Sequence, residues 1–198
     1  MNYLAHLFLA GPSDASRVGN LLGDFVKGTP ESLQDQFPPE VIAGIMMHRR
    51  LDRFTDDHEA FLKARQLLAP ERRRFAGIVI DIFFDHFLTV HWDKFADHPL
   101  PEFLEEIYST LLRRPEWLSP QLARIVPRMK DENWLHSYGT IEGLSLTFHR
   151  IARRSPRITP IRESPDDLVA HYHSFDRAFH DFFPATRHYA SLLRSNDR

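Results

Sequence analysis

Hydrophobic residues recur at three- and four-residue intervals along almost the whole chain, the spacing of a single buried helix face. Alternating Val/Ile/Thr runs bounded by turn residues are hard to find. The pattern predicts an all-α fold. A first short helix is expected over residues 2–10, ended by Gly11-Pro12, and Ser13 and Asp14 offer caps for a second that closes at Gly28. Pro38-Pro39 opens a third through "PPEVIAGIMMHRRLDRF", with proline tolerated in the first turn. After the polar "TDDHEA" a helix runs to about Leu68, and Pro70 interrupts the pattern before the longest apolar stretch, Glu71 to Phe95. Between Phe75 and Leu88 that stretch is apolar on nearly every side, which predicts a central buried helix surrounded by others. Further helices are expected over 101–113, 120–136, 141–154 and 166–183, with Ser119-Pro120 and Ser164-Pro165 as starts. No internal repeat, linker or low-complexity tract is visible, so residues 1–198 read as a single-domain helical bundle.

Composition narrows the function classes. The chain has 25 basic and 27 acidic side chains, a formal charge of -2, and so lacks the basic excess usual in nucleic-acid binders. It contains no cysteine, which excludes disulfides and thiolate metal ligands and leaves any metal to His, Asp or Glu. The apolar start "MNYLAHLFLA" has no basic region before it and is broken by His6, unlike a secretory signal. No run of about 18 apolar residues occurs, as a membrane span requires. A cytoplasmic protein with no nucleic-acid or membrane partner is expected, its oligomeric state open.

Several polar residues stand inside apolar helical stretches, where a charge costs several kcal/mol unless it is paired. In "GNLLGDFVKG", Asp24 falls among Leu21, Leu22, Phe25 and Val26, so it either faces water or meets a cation. In "GIMMHRRLD", His48 and Asp52 stand four apart and share a helix face, with Gly44 leaving room one turn earlier. "VIDIFFDHFL" repeats that spacing with Asp81 and Asp85 in the most apolar part of the chain. Two buried like charges one turn apart call for relief by a divalent cation or by arginines. His86 points about 100° away from Asp85 by helical geometry, so the two do not both face one ion. His6, alone on an apolar helix, reads either as a hydrogen-bonded core residue or as a ligand. Together with Asp24, the His48, Asp52, Asp81 and Asp85 side chains form a hard N/O set suited to manganese or magnesium, and also to ferrous iron or zinc.

"MNYLAHLFLA", "GNLLGDFVKG", "GIMMHRRLDRFTD" and "DIFFDHFLTVHW", in this order, resemble the bacterial acyl carrier protein phosphodiesterases, also called acyl carrier protein hydrolases. The resemblance covers most of the chain and is most specific over the first 92 residues. It implies a helical, manganese-dependent enzyme distantly related to the His-Asp phosphohydrolases, which removes the 4′-phosphopantetheine arm from holo acyl carrier protein. It further implies metal ligands among His6, Asp24, His48, Asp52, Asp81 and Asp85. Asp24 or Asp81 would then take a proton from water, and His86 would sit at the edge of the site to orient a phosphate. The wider superfamily is named for a His-Asp dyad, whereas this chain reads Asp85-His86 and separates His48 from Asp52. Lys27, Arg49 and Arg50 are candidates to steady the phosphate. For docking an acidic carrier protein the chain offers Arg72–Arg74, favoured because they begin the helix of Asp81 and Asp85, then Arg113 and Arg114, and Arg153, Arg154 and Arg157. Two other readings stay open: a metal phosphohydrolase acting on a nucleotide or small phosphoester, and a non-catalytic helical binding protein whose carboxylates pair with arginine.

Overall fold

The helical periodicity becomes thirteen α-helices: α1 (Tyr3–Leu9), α2 (Asp14–Leu22), α3 (Pro30–Leu33), α4 (Pro39–Asp57), α5 (Glu59–Leu67), α6 (Ala76–Val90), α7 (Trp92–Phe95), α8 (Leu100–Arg113), α9 (Pro120–Asp131), α10 (Trp134–Ser137), α11 (Ile141–Ala152), α12 (Ser164–Ala170) and α13 (Tyr172–Asn196). This computed structural model describes residues 1–196, and no strand occurs among them. The fold is all-α, as the sequence pattern predicts.

The expected central helix is α6. Val79, Ile80, Ile82, Phe83, Phe84, Phe87 and Leu88 are buried around its circumference, and the buried hydrophobic side chains of the chain form one continuous cluster. Aromatic edges lock it to its neighbours. Phe83 packs against Phe148 of α11 and Phe175 of α13, while Phe84 meets Phe179 and Phe182 of α13. Ring pairs of this kind add about 0.5–1.5 kcal/mol each beyond the area they bury.

α2 and α4 pack backbone against backbone. A Cβ on Gly19 would lie 2.3 Å from the Val41 carbonyl oxygen, and one on Gly44 would lie 2.9 Å from the Gly19 Cα. The room beside Gly44 is therefore filled by α2 rather than left for a ligand.

Several helix ends differ from expectation, each for a local reason. α2 stops at Leu22, whose carbonyl accepts the N–H groups of Phe25 and Val26 and closes a turn, so Asp24 lies on a turn and not on a helix. The stretch from Glu71 to Phe95 is divided into a 3-10 turn at Arg73–Phe75, then α6 and α7, with His91 at the break. The Trp92 indole donates to the His98 carbonyl and draws the chain around that corner. α9 ends at Asp131 because Asn133 takes a left-handed conformation, φ 49°. α13 runs through Pro184 instead of stopping before it. Pro184 forfeits a helix bond and costs about 3 kcal/mol, and burial of Phe182, Phe183, Ala190 and Leu193 on the same helix outweighs that loss at about 1.5–3 kcal/mol per large side chain.

Candidate active site

Four separate segments bring polar side chains to one point beside α6. α1 contributes His6, α4 contributes His48 and Asp52 from one face, α6 contributes Asp81, and the turn after α2 contributes Asp24. His6 Nε2 lies 2.9 Å from Asp52 Oδ1, and the His6 and His48 rings stack with centroids 3.7 Å apart. His48 Nε2 lies 3.0 Å from Asp52 Oδ2 and 3.4 Å from Asp24 Oδ1, near enough to pair but off the line of a hydrogen bond. Its other nitrogen is fixed, because Nδ1–H donates to the Asn20 carbonyl at 2.7 Å. That bond sets the ring orientation and turns Nε2 toward the carboxylates. Gly23 makes the placement possible: a Cβ there would lie 2.2 Å from the His48 ring.

The α-amino group of Met1 also enters, 2.9 Å from Asp81 Oδ1 and 3.3 Å from Asp52 Oδ1. Burial opposes its charge, but Asp81 and Asp52 hold it ionised, with its pKa raised to about 11. Among the described residues no arginine or lysine pairs with Asp24, Asp52, Asp81 or Asp85, so arginine does not relieve these carboxylates.

The electrostatics follow from burial and neighbours. Burial and the nearby His48 drive His6 down to about 4, so it stands as a neutral imidazole. His48 moves the other way, to about 9, because Asp24 and Asp52 outweigh its burial. Burial would raise Asp52, but contact with His48 and His6 holds it well below the usual carboxylate range. Asp81 rises to about 6, chiefly by burial, partly offset by the Met1 ammonium.

A divalent cation fits this donor set. One ligand atom from each of His6, His48 and Asp52 falls within 4.8 Å of the others, and Asp24 and Asp81 stand beside them. His48 Nε2 is a buried polar atom without an aligned hydrogen-bond partner, and one cation, the Met1 ammonium, already lies between Asp52 and Asp81. Two imidazoles with carboxylates suit manganese, ferrous iron and zinc.

Asp85 is not with them. It is fully buried, and its two oxygens accept the N–H groups of Leu4 at 2.8 Å and Ala5 at 3.0 Å. α1 has no acidic residue in its own first turn and no side-chain cap, so Asp85 supplies both the acceptors and the negative charge that a helix N-terminus favours. Asp85, expected among the metal ligands, is set apart from the other candidates: it positions the helix that carries His6. Burial raises its pKa to about 7, with the two N–H groups acting against that rise.

His86 is also elsewhere. Its Nδ1–H donates to the Tyr138 carbonyl at 2.7 Å, and Nε2 accepts from the Tyr172 hydroxyl at 3.0 Å, which uses both nitrogens away from the carboxylates. Arg49 donates to the Val26 carbonyl at 2.8 Å and to that of Gly28, bracing the loop after Asp24. With Arg50 it faces a different groove, shared with Arg53 and Tyr189. Lys27 is exposed on the same loop.

The carboxylates open instead on a cavity of about 270 Å³ lined by Tyr3, Asp24, Asp81, Gln121 and Arg154. The sequence pattern does not mark Tyr3, Gln121 or Arg154 as lining a site. Only Arg154 left a trace in the sequence, inside the basic run "IARRSPR". Arg72, by contrast, is buried, with Nε 2.6 Å from Asp167 Oδ2 and Nη2 2.9 Å from Asp167 Oδ1, so it ties α12 to the start of α6 and offers nothing to a partner. Arg113 and Arg114 both pair with Asp14.

Comparison with known proteins agrees over nearly the full length. The family model described as acyl carrier protein phosphodiesterase matches residues 1–186. A protein of that name from Photorhabdus laumondii subsp. laumondii is 38% identical over 185 residues, 93% of this chain and 92% of its own. One from Escherichia coli O139:H28 is 39% identical over 189 residues, 93% of this chain and 94% of its own. No solved structure matches. No helix of the described residues is long and apolar enough to cross a membrane.

Proposed function

The chain belongs to the acyl carrier protein phosphodiesterase family, and from that premise we propose that it cuts the phosphodiester joining the 4′-phosphopantetheine arm to a serine of holo acyl carrier protein, using a divalent ion held by His6, His48 and Asp52 with Asp24 and Asp81. The observation that carries this reading is the convergence of two imidazoles and three carboxylates beside a cavity that also holds an arginine. When bound, a divalent ion there supplies Lewis acidity to the phosphoryl group and lowers the pKa of water. Manganese is the first assignment, with magnesium, ferrous iron and zinc compatible with the same donors.

The chain's own groups do the rest. Arg154, on the cavity wall, steadies the non-bridging phosphoryl oxygens through its planar N–H fork. Tyr3, whose hydroxyl is kept protonated chiefly by burial, is placed to donate a hydrogen bond to the same group. Asp81 lines the cavity and accepts the proton of the attacking water. The new bond forms between water oxygen and phosphorus, the bond from phosphorus to the serine oxygen breaks, and the serine oxygen leaves with the proton that Asp81 took from water, which restores the Asp81 carboxylate. Apo carrier protein and 4′-phosphopantetheine result.

Arg153 and Arg154 are both exposed, and Arg154 reaches the cavity, which makes this pair the basic face we assign to an acidic carrier protein in place of Arg72–Arg74. A carrier-protein substrate and a cysteine-free chain support a cytoplasmic setting. The deciding experiment is mass spectrometry of holo carrier protein incubated with the protein and manganese, with and without EDTA. Loss of the arm's mass only without chelator is expected. Intact holo protein alongside hydrolysis of a free phosphodiester would replace this reading with that of a small-phosphoester hydrolase.

A further inference from the structure

A second group of metal-ligating side chains lies at the far end of α6. His91, at the corner between α6 and α7, points Nε2 to within 2.6 Å of Asp176 Oδ1 on α13. His180, one turn along α13, brings Nε2 to 3.6 Å from the same oxygen. The two imidazole rings are 4.6 Å apart, and one donor atom from each of the three residues lies within 4.8 Å of the others. Their side chains are 17%, 27% and 36% exposed, so the group is partly shielded yet open to solvent on one side.

We propose that His91, Asp176 and His180 form a second cation site, which takes a single transition-metal dication of the zinc type and ties the end of α6 to α13. Three features support it. Two imidazole nitrogens and one carboxylate are the donor number and type of zinc sites that keep a fourth position for water. Among the described residues no arginine or lysine pairs with Asp176, whose ion-pair contacts are these two histidines, so no such side chain competes for the carboxylate. Phe87 and Phe179 lie against His91, and Phe95 and Phe179 against His180, giving the group an apolar wall that strengthens charge interactions by excluding water. Zinc bonds of about 2.0–2.1 Å at a tetrahedral angle separate two ligand atoms by about 3.3 Å. The present 2.6 Å and 3.6 Å contacts bracket that value, so small side-chain rotations suffice.

The ion would act on structure. It would join residue 91 to residues 176 and 180, next to His86 and Tyr172, whose hydrogen bond spans the same two helices. A ligand at about one hundred times its Kd raises Tm by about 5–10 °C in a protein of this length.

The test is equilibrium dialysis of the metal-stripped full-length protein against Zn²⁺, with His180→Ala, His91→Ala, Asp52→Ala and the Asp52→Ala/His180→Ala double variant, each checked for native helicity. His180 and His91 are partly exposed and outside the active cavity, so neither change is expected to unfold the chain. Asp52→Ala should still bind one Zn²⁺, and adding His180→Ala should abolish that ion and the associated rise in Tm. Equal Zn²⁺ binding with and without His180 in the Asp52→Ala background would overturn the proposal, leaving the group a His–Asp hydrogen bond. Because the Asp52→Ala protein isolates the second group, failure here is distinct from failure of a metal at the active site, which would show as His180→Ala protein binding no ion.

Discussion

The same local device occurs twice in this molecule with different surroundings. On α4, His48 and Asp52 stand four apart and meet His6 from α1. On α13, Asp176 and His180 stand four apart and meet His91 from the end of α6. In the first group the two imidazoles are closed off, with His6 and His48 at 0% and 2% exposure, while Asp52 reaches solvent, and two further carboxylates, Asp24 and Asp81, connect the group to a cavity containing Arg154. The second has one carboxylate, and all three of its side chains are partly exposed. Spacing alone makes a pair of donors. Burial, extra negative charge and an adjoining cavity make a place where a phosphoryl group can be held and attacked.

If that contrast governs function, the largest effect comes from the first group. His48→Ala or Asp52→Ala should lower kcat/KM for holo carrier protein by about 10³-fold, within the range for removing groups that act in the transition state. His180→Ala should leave it within about threefold, read by the same mass-spectrometric assay. Comparable losses from both groups would break the comparison.

Gly23→Ala probes the packing behind His48, which the second group does not need. Its Cβ would lie 2.2 Å from the imidazole, so the ring must move, and a displacement of about 1 Å at a reacting centre costs about 10²-fold in rate. Unchanged activity would show that ring position is not limiting.

Stability separates the two regions as well. Asp85→Ala strips the cap of α1 and leaves two buried N–H groups unpaired, an expected loss of about 2–4 kcal/mol in denaturant unfolding. Asp176→Ala in metal-free protein removes a partly exposed pair and should cost about 1 kcal/mol or less. A loss at Asp176 as large as that at Asp85 would make the second group part of the core.

The smallest effect sharpens substrate handling. Arg154→Ala should raise KM for holo carrier protein about three- to tenfold, the loss of one exposed phosphate contact, with Tm unchanged. Arg72→Ala should do the reverse, lowering Tm through the buried Asp167 pair while KM stays constant.

How much of this was legible follows from what repeats along a chain. Periodicity alone determined the all-α class, the burial of α6 and the shared face of His48 and Asp52, because a helix converts spacing in sequence into adjacency in space by its own geometry. The four motifs carried the family resemblance. The partner of each helix face is not encoded in any period. Asp81 and Asp85 share one face of α6, yet one faces the cavity and the other caps α1, because α1 crosses α6 with its first turn over Asp85. Gly44 suggested space for a ligand and received Gly19 instead. Arg72 looked like part of a basic patch until Asp167, far along the chain, met it. The "DRAFH" spacing on α13 gave no sign that His91 would lie opposite. Local geometry settles which side chains travel together. Only packing, through close approach of backbones and the need of buried polar groups for partners, decides what they meet.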